Sequence, residues 1–144
     1  MYGIEQGMRD RVLIDTSVWI DFFRKKDAEL LERISILLKS GRAVYTGIIA
    51  LELINGAKGQ KELKALDDLF STMDKVKESE STYFDAGRMG YGIAGNGFTL
   101  SVVDLLIAQI TIENDLFLMT FDRHFDVVTK YSTLRLFKDC KKRN

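Results

Sequence analysis

The sequence predicts a three-layer α/β fold with a mainly parallel central sheet flanked by helices. Two observations support this prediction. Short apolar runs of the kind that form buried strands alternate along the chain with longer segments whose apolar residues recur at helical spacing. Strands that alternate with helices are joined by right-handed crossovers, which leave the strands parallel and cover both faces of the sheet.

The first half of the chain predicts two strands, each followed by two helices. The apolar runs at 12–15 and 43–46 are short enough for buried strands. Gly41 stands where a helix-ending glycine is expected, and the helix after the second strand ends near Gly56 or Gly59. The four helices are predicted at about 16–25, 27–40, 47–59 and 60–72.

The second half of the chain begins with a weak third strand at 74–79. A helix follows from about residue 80 and ends at a glycine-rich turn over 95–97. The next helix begins near Ser101, and Asp104 follows three residues later in the pattern of a capping box. The last strands are predicted at 116–120 and 133–137.

Composition narrows the class of protein. The 144 residues, 46% of them apolar, fit one domain, which we place at 8–140 after an amino-terminal extension at 1–7. The 21 basic and 21 acidic residues cancel, so no overall charge indicates nucleic-acid or membrane binding. Cys140 is the one cysteine and no 18-residue apolar run occurs, so we expect a cytoplasmic protein with no membrane partner.

Four acids stand within or directly after apolar segments, where a solvent-exposed position is not the default expectation: Asp15, Glu52, Asp104 and Asp122. Each has a structural explanation on its own, as a helix cap, a solvent-facing position or a turn residue. Asp15 and Asp122, however, end two parallel strands, and Glu52 and Asp104 lie early in helices that begin at the same sheet edge. We therefore expect the four carboxylates to converge.

Convergent carboxylates indicate a divalent cation. Like charges a few ångströms apart repel, and partial burial disfavours their ionisation, so a counterion is required. Oxygen ligands, with one histidine and no cysteine motif, favour Mg²⁺ or Mn²⁺ over zinc. Such ions lower the pKa of bound water, which is the chemistry of phosphodiester hydrolysis.

Four segments, VLIDTSVWIDFF, YTGIIALELINGA, FTLSVVDLLIAQI and LMTFDRHF, resemble in order and spacing the signature segments of the PIN domain, in particular of VapC-type ribonuclease toxins. The resemblance spans residues 12–137. It implies a homodimer that cleaves single-stranded RNA and is inhibited by a small antitoxin protein. It also implies that the four acids bind Mg²⁺ or Mn²⁺, with supporting roles for Thr16, Ser17 and Thr120.

Other polar residues near these segments are weaker candidates. Arg24 and Lys25 follow the first acidic segment, and Arg88 lies on the helix before the glycine-rich turn, so all three are candidates for binding RNA phosphates. Charge runs are more often solvated faces. His124, two residues after Asp122, is expected to start a turn or short helix and to have a surface or packing role rather than to act as a general base.

Three other classes of protein are alternatives to a nuclease for this sequence. A catalytically silent PIN-like module would bind RNA or protein only, and the four intact acids argue against it. A response-regulator phosphoacceptor requires an adjacent acidic pair, but Thr16 follows Asp15. A dehalogenase-type phosphatase requires a second aspartate two residues after the first, where this chain has Ser17.

Overall fold

The computed structural model describes residues 10–138. The extension expected at 1–7 lies outside these residues, as does Cys140. Four strands and seven helices are described: β1 (Val12–Ile14), α1 (Thr16–Arg24), α2 (Ala28–Lys39), β2 (Ala43–Thr46), α3 (Gly47–Asn55), α4 (Gln60–Phe70), β3 (Asp74–Val76), α5 (Thr82–Ala94), α6 (Val102–Glu113), β4 (Phe117–Met119) and α7 (His124–Tyr131).

The strands form one parallel sheet in the order β3-β2-β1-β4. The central strand β1 pairs Leu13 with Val44 of β2 on one side and with Leu118 of β4 on the other. The predicted α/β class with a parallel sheet is therefore confirmed. Because β1 and β4 are parallel neighbours, Asp15 and the residues that follow Met119 leave the sheet at the same edge.

A strand predicted near the carboxyl terminus, at 133–137, is wrong. The segment makes a single parallel bridge to β4, in which Leu118 N–H donates to Arg135 O and Phe137 N–H donates to Leu118 O. Leu134 is buried in the core. The apolar pattern that predicted a strand thus arises from side-chain burial rather than from a continuous ladder.

The core covers both faces of the sheet. All three residues of β1 are fully buried, as expected for a central parallel strand between two helical layers. Helices supply the largest fully buried side chains around it, among them Trp19, Ile34, Ile49, Ile107 and Phe125. Within residues 10–138, no helix combines the length and the apolar character that spanning a membrane requires.

Helix ends agree with the glycine signals. Gly41, after α2, has a φ of 74°, a left-handed conformation that glycine adopts without steric cost. Helix α3 ends at Asn55 with Gly56 as its C-cap, so the earlier of the two predicted ends is right. Helix α5 ends at Ala94, and the turn that follows includes Gly97 at a φ of 93°.

Candidate active site

Asp15 lies at the junction of β1 and α1. It occupies the N-cap position of α1, yet its side chain makes no capping hydrogen bond. Asp15 is 5% exposed, and its Oδ2 accepts hydrogen bonds from Ser17 Oγ and Thr120 Oγ1, both at 2.8 Å. Capping therefore does not explain this buried acid. Both bonds fall on Oδ2, so Oδ1 is the oxygen available to a ligand.

The segment after β4 is held against Asp15 by two hydroxyl groups. Thr120 Oγ1 accepts a hydrogen bond from Asp122 N–H at 3.0 Å while donating to Asp15. Ser17 Oγ accepts from Phe121 N–H, also at 3.0 Å. These bonds fix the position of Asp122 relative to Asp15 through backbone and side chain together.

Asp104 lies in the first turn of α6. Ser101 is the N-cap, and its Oγ accepts the Asp104 N–H at 3.1 Å, so the predicted cap is formed by the serine. Burial raises the pKa of Asp104, and the charges of Asp122 and Asp15 raise it further, against opposing effects of Ser101 and His124. Three of the predicted acids therefore share one electrostatic environment.

Glu52 approaches from α3. Its Oε1 accepts a hydrogen bond of 2.6 Å from Thr16 Oγ1, and Thr16 directly follows Asp15 in the chain. Among the described residues, the carboxylates of Asp104 and Asp122 lie close enough to share an ion, and neither Asp15 nor Glu52 is part of that group. Glu52 is linked to the cluster through Thr16.

His124 belongs to this cluster, which the sequence analysis did not foresee. It begins α7, as its position in the segment predicted, but its Nδ1 lies 3.1 Å from Asp122 Oδ1 and 4.0 Å from Asp104 Oδ2. The expected surface position is found, since the side chain is 71% exposed, but the contacts with the two acids were not predicted. The signal in the sequence was the two-residue spacing between Asp122 and His124, which is typical of a turn in which an aspartate accepts a backbone hydrogen bond. Here Asp122 Oδ1 accepts the backbone N–H of His124 at 2.9 Å, which brings His124 close to the acid.

Comparison with known families decides the identity of the fold. The PIN domain family model matches residues 12–131. The chain belongs to the PIN domain family. Two relatives, Ribonuclease VapC11 of Mycobacterium tuberculosis and a VapC ribonuclease of Mycobacterium bovis, are each 27% identical to this PIN domain over 128 residues. Each alignment covers 86% of this chain and 96% of the relative.

Solved structures agree with this assignment of the PIN domain. A DNA-bound VapBC from Salmonella typhimurium superposes with a TM-score of 0.74 at 18% identity, over 89% of this chain and 97% of that one. VapC20 of Mycobacterium tuberculosis, described as a sarcin-ricin loop cleaving toxin, has a TM-score of 0.62 at 17% identity, over 86% and 98%. At these identities the likeness shows the fold, and the predicted PIN fold is confirmed.

The three basic candidates form ion pairs with acids other than the four candidate site residues. Arg24, at the opposite end of α1, pairs with Glu62 at 3.0 Å, about 12 Å along the helix from Thr16. Lys25 pairs with Asp21 at 3.5 Å, and Arg88 pairs with Asp85 at 3.7 Å. Their part in binding RNA stays a prediction.

The four candidate acids Asp15, Glu52, Asp104 and Asp122 differ from other acids of this PIN domain in their charged partners. Within residues 10–138, no lysine or arginine forms an ion pair with any of them, and the only basic side chain that contacts them is His124, at Asp104 and Asp122. Elsewhere on the surface, acids pair readily with arginine, as Asp74 does with Arg11 at 3.1 Å. The arrangement therefore concentrates negative charge at the sheet edge, where an added cation would balance it.

We expect Asp104→Asn to raise the melting temperature of the metal-free PIN domain at pH 7 by about 2–4 °C for each ~1 kcal/mol of relieved repulsion. Because the pKa of Asp104 is raised above its ordinary 3.8, the protonated acid favours the folded state, and stability falls as pH rises through the raised pKa. The advantage of the variant should shrink as pH falls from the raised pKa toward 3.8, and be lost below 3.8. Thermal unfolding with chelator at several pH values measures this; a variant less stable at pH 7 would indicate a capping role.

Proposed function

We propose that this PIN domain is a metal-dependent endoribonuclease that cleaves single-stranded RNA in the cytoplasm, as the toxin of a toxin-antitoxin pair. One nuclease domain over 8–140 would carry the activity. The observation that carries the proposal is the group of carboxylates at the sheet edge, which no lysine or arginine of residues 10–138 balances. The ribonuclease names of the VapC relatives support RNA as the substrate.

The donor atoms present fit Mg²⁺ or Mn²⁺. Ligand atoms of Asp104 and Asp122 lie within 4.8 Å of each other, close to the ~4.2 Å that two opposite ligands of one such ion can span. Carboxylate oxygens are the ligands these ions prefer. We assign metal binding to Asp15 and Asp104 as principal ligands, with Glu52 and Asp122 completing the site.

Three of the four acids of the proposed site are held by hydroxyl groups of neighbouring residues. Ser17 and Thr120 fix Asp15 through Oδ2, and Thr120 also holds the backbone of Asp122. Thr16 orients Glu52 from α1. When bound, the cation supplies Lewis-acid activation of water and charge neutralisation at the phosphate. The carboxylates would hold the cation in place. In the hydrolysis, the oxygen of water bonds to phosphorus, the bond from phosphorus to the leaving ribose oxygen breaks, and a proton from the water passes to that oxygen.

Exposed apolar side chains support the proposal of protein partners. On α5, Tyr83, Phe84 and Tyr91 are exposed, Tyr91 by 85%. Contiguous apolar surface of this kind is typical of protein interfaces. The solved VapBC neighbours are toxin-antitoxin assemblies, and we propose a homodimer and a small antitoxin as the partners of this chain.

The test of the proposed function is a cleavage assay with purified protein. Unstructured RNA, structured RNA and DNA are incubated with Mg²⁺, with Mn²⁺ or with chelator. We expect endonucleolytic cuts in unstructured RNA with either metal, and none with chelator. If no substrate is cut with any metal, the enzyme proposal fails and a silent binding module becomes the better interpretation.

We expect Thr120→Val to reduce RNA cleavage by about 10-fold to 100-fold without abolishing it, as loss of a group that orients a ligand does. The hydroxyl joins Asp15 Oδ2 to Asp122 N–H, and valine keeps the shape without either bond. Initial cleavage rates with saturating Mn²⁺ measure the effect. Thr129→Val is the matched control, because Thr129 Oγ1 donates to a backbone carbonyl within α7. Equal rates in both variants would contradict a supporting role for Thr120.

A further inference from the structure

We propose that His124 Nδ1 binds the metal together with Asp104 and Asp122, so that a nitrogen ligand joins the carboxylate oxygens. The inference rests on the proposed function, since it concerns the same cation. It adds a residue to the set of four acids and assigns it a specific atom, Nδ1, which lies nearer to Asp122 than to Asp104.

The distances suit a shared ion. With metal–ligand distances of about 2.1 Å, neighbouring ligand atoms of an octahedral ion lie about 3.0 Å apart and opposite ones about 4.2 Å apart. His124 Nδ1 is 3.1 Å from Asp122 Oδ1, the distance of neighbours, and 4.0 Å from Asp104 Oδ2, near that of opposite ligands. Ligand atoms of all three residues lie within 4.8 Å of one another.

The backbone fixes the position of His124 next to Asp122. Asp122 Oδ1 accepts the His124 N–H at 2.9 Å, and α7 begins at His124, so the Cα position is fixed by both the turn and the helix. The His124 side chain is 71% exposed. Core packing therefore does not account for its orientation toward the acids. The competing explanation is a hydrogen bond from Nδ1–H to Asp122.

A nitrogen ligand changes which cation the site prefers. Mg²⁺ takes oxygen ligands almost exclusively, whereas imidazole nitrogen suits later divalent metals, and affinity rises from Mn²⁺ along the first-row series. His124 would therefore raise the affinity for Mn²⁺ while leaving that for Mg²⁺ nearly unchanged. Carboxylates alone provide no such discrimination.

The test uses pulsed electron paramagnetic resonance of the full chain loaded with Mn²⁺, without a histidine tag. The chain has one histidine, so imidazole nitrogen coupling to Mn²⁺ must come from His124. We expect this coupling in the wild type and in the control Arg123→Ala, whose side chain is 92% exposed, and its loss in His124→Ala. The Kd for Mn²⁺ should rise about 10-fold in His124→Ala, with the Kd for Mg²⁺ changed less than about 2-fold.

The outcomes separate this inference from the proposed function. Mn²⁺ bound without nitrogen coupling, in a wild type that still cuts RNA, overturns the role of His124 and leaves the nuclease proposal standing. Nitrogen coupling in a protein that cuts no RNA supports the ligand and overturns the nuclease. Equal losses of Mn²⁺ and Mg²⁺ affinity in His124→Ala would also overturn the inference, because they would indicate a general role in shaping the site.

Discussion

We expect Asp104→Asn to lose RNA cleavage by at least about 100-fold at saturating metal. Asp104 shares an electrostatic environment with Asp122 and Asp15, and its carboxylate is one of two within reach of a common ion. Neutralising it removes one of the two proposed principal ligands, while asparagine keeps the size of the side chain. Metal stabilisation of transition-state charge is worth several kcal/mol, and each 1.36 kcal/mol corresponds to about a tenfold change in rate.

The control for this variant is Asp68→Asn. Asp68 is an exposed residue of α4 that pairs with Lys64 at 3.3 Å. Replacing it with asparagine changes the net charge of the protein by the same amount as Asp104→Asn does. We expect the cleavage rate of Asp68→Asn to match that of the wild type within about 2-fold, since exposed ion pairs contribute little to the stability of the fold. Unchanged cleavage in Asp104→Asn, with both variants folded by circular dichroism, would contradict a catalytic role for the sheet-edge acids.

We expect Gly90→Ala to be about 1–3 kcal/mol less stable than a second alanine substitution in the same helix, Gly92→Ala. A Cβ at Gly90 would lie 2.5 Å from Leu105 Cδ1, whereas one at Gly92 meets no heavy atom within 4 Å. Alanine otherwise stabilises a helix by about 0.5–1 kcal/mol relative to glycine. The comparison therefore isolates the clash between α5 and α6, and urea unfolding measures it.

The clash at Gly90 also bears on the active site, because Leu105 follows Asp104 on α6. Combining Gly90→Ala with Leu105→Ala should recover part of the loss, and the double-mutant cycle gives the coupling between the two helices. Additive effects of the two substitutions would contradict the close approach. We further expect Gly90→Ala to lower RNA cleavage, since the Leu105 side chain next to Asp104 must move to admit the methyl group.

Most of the fold was predictable because burial and periodicity act locally. The apolar run at β1 and the cap at Ser101 are short-range signals, and both are formed as predicted. The strand at 133–137 failed because an alternating pattern reports burial, and burial at Leu134 needs no ladder. Strand pairing depends on a partner edge, which no local window of sequence contains.

The site was predictable in part, for a different reason. Parallel topology sends Asp15 and Asp122 to the same edge, so their proximity follows from the order of the elements. The hydrogen bonds from Thr120 to Asp15 and from Phe121 N–H to Ser17 join residues about a hundred positions apart, and only the resemblance to the PIN domain indicated Ser17 and Thr120 as supporting residues. His124 was missed because the direction of a side chain after a turn depends on backbone angles that spacing does not specify.

The most direct test of the central claim is calorimetric titration of Mn²⁺ into wild type, Asp104→Asn and Asp68→Asn in the absence of RNA. If the acids at the sheet edge form a cation site, wild type and Asp68→Asn bind Mn²⁺ with matching affinity, and Asp104→Asn binds at least about 10-fold more weakly. The account is contradicted if the wild type binds no Mn²⁺, or if Asp104→Asn binds it as tightly as the wild type does.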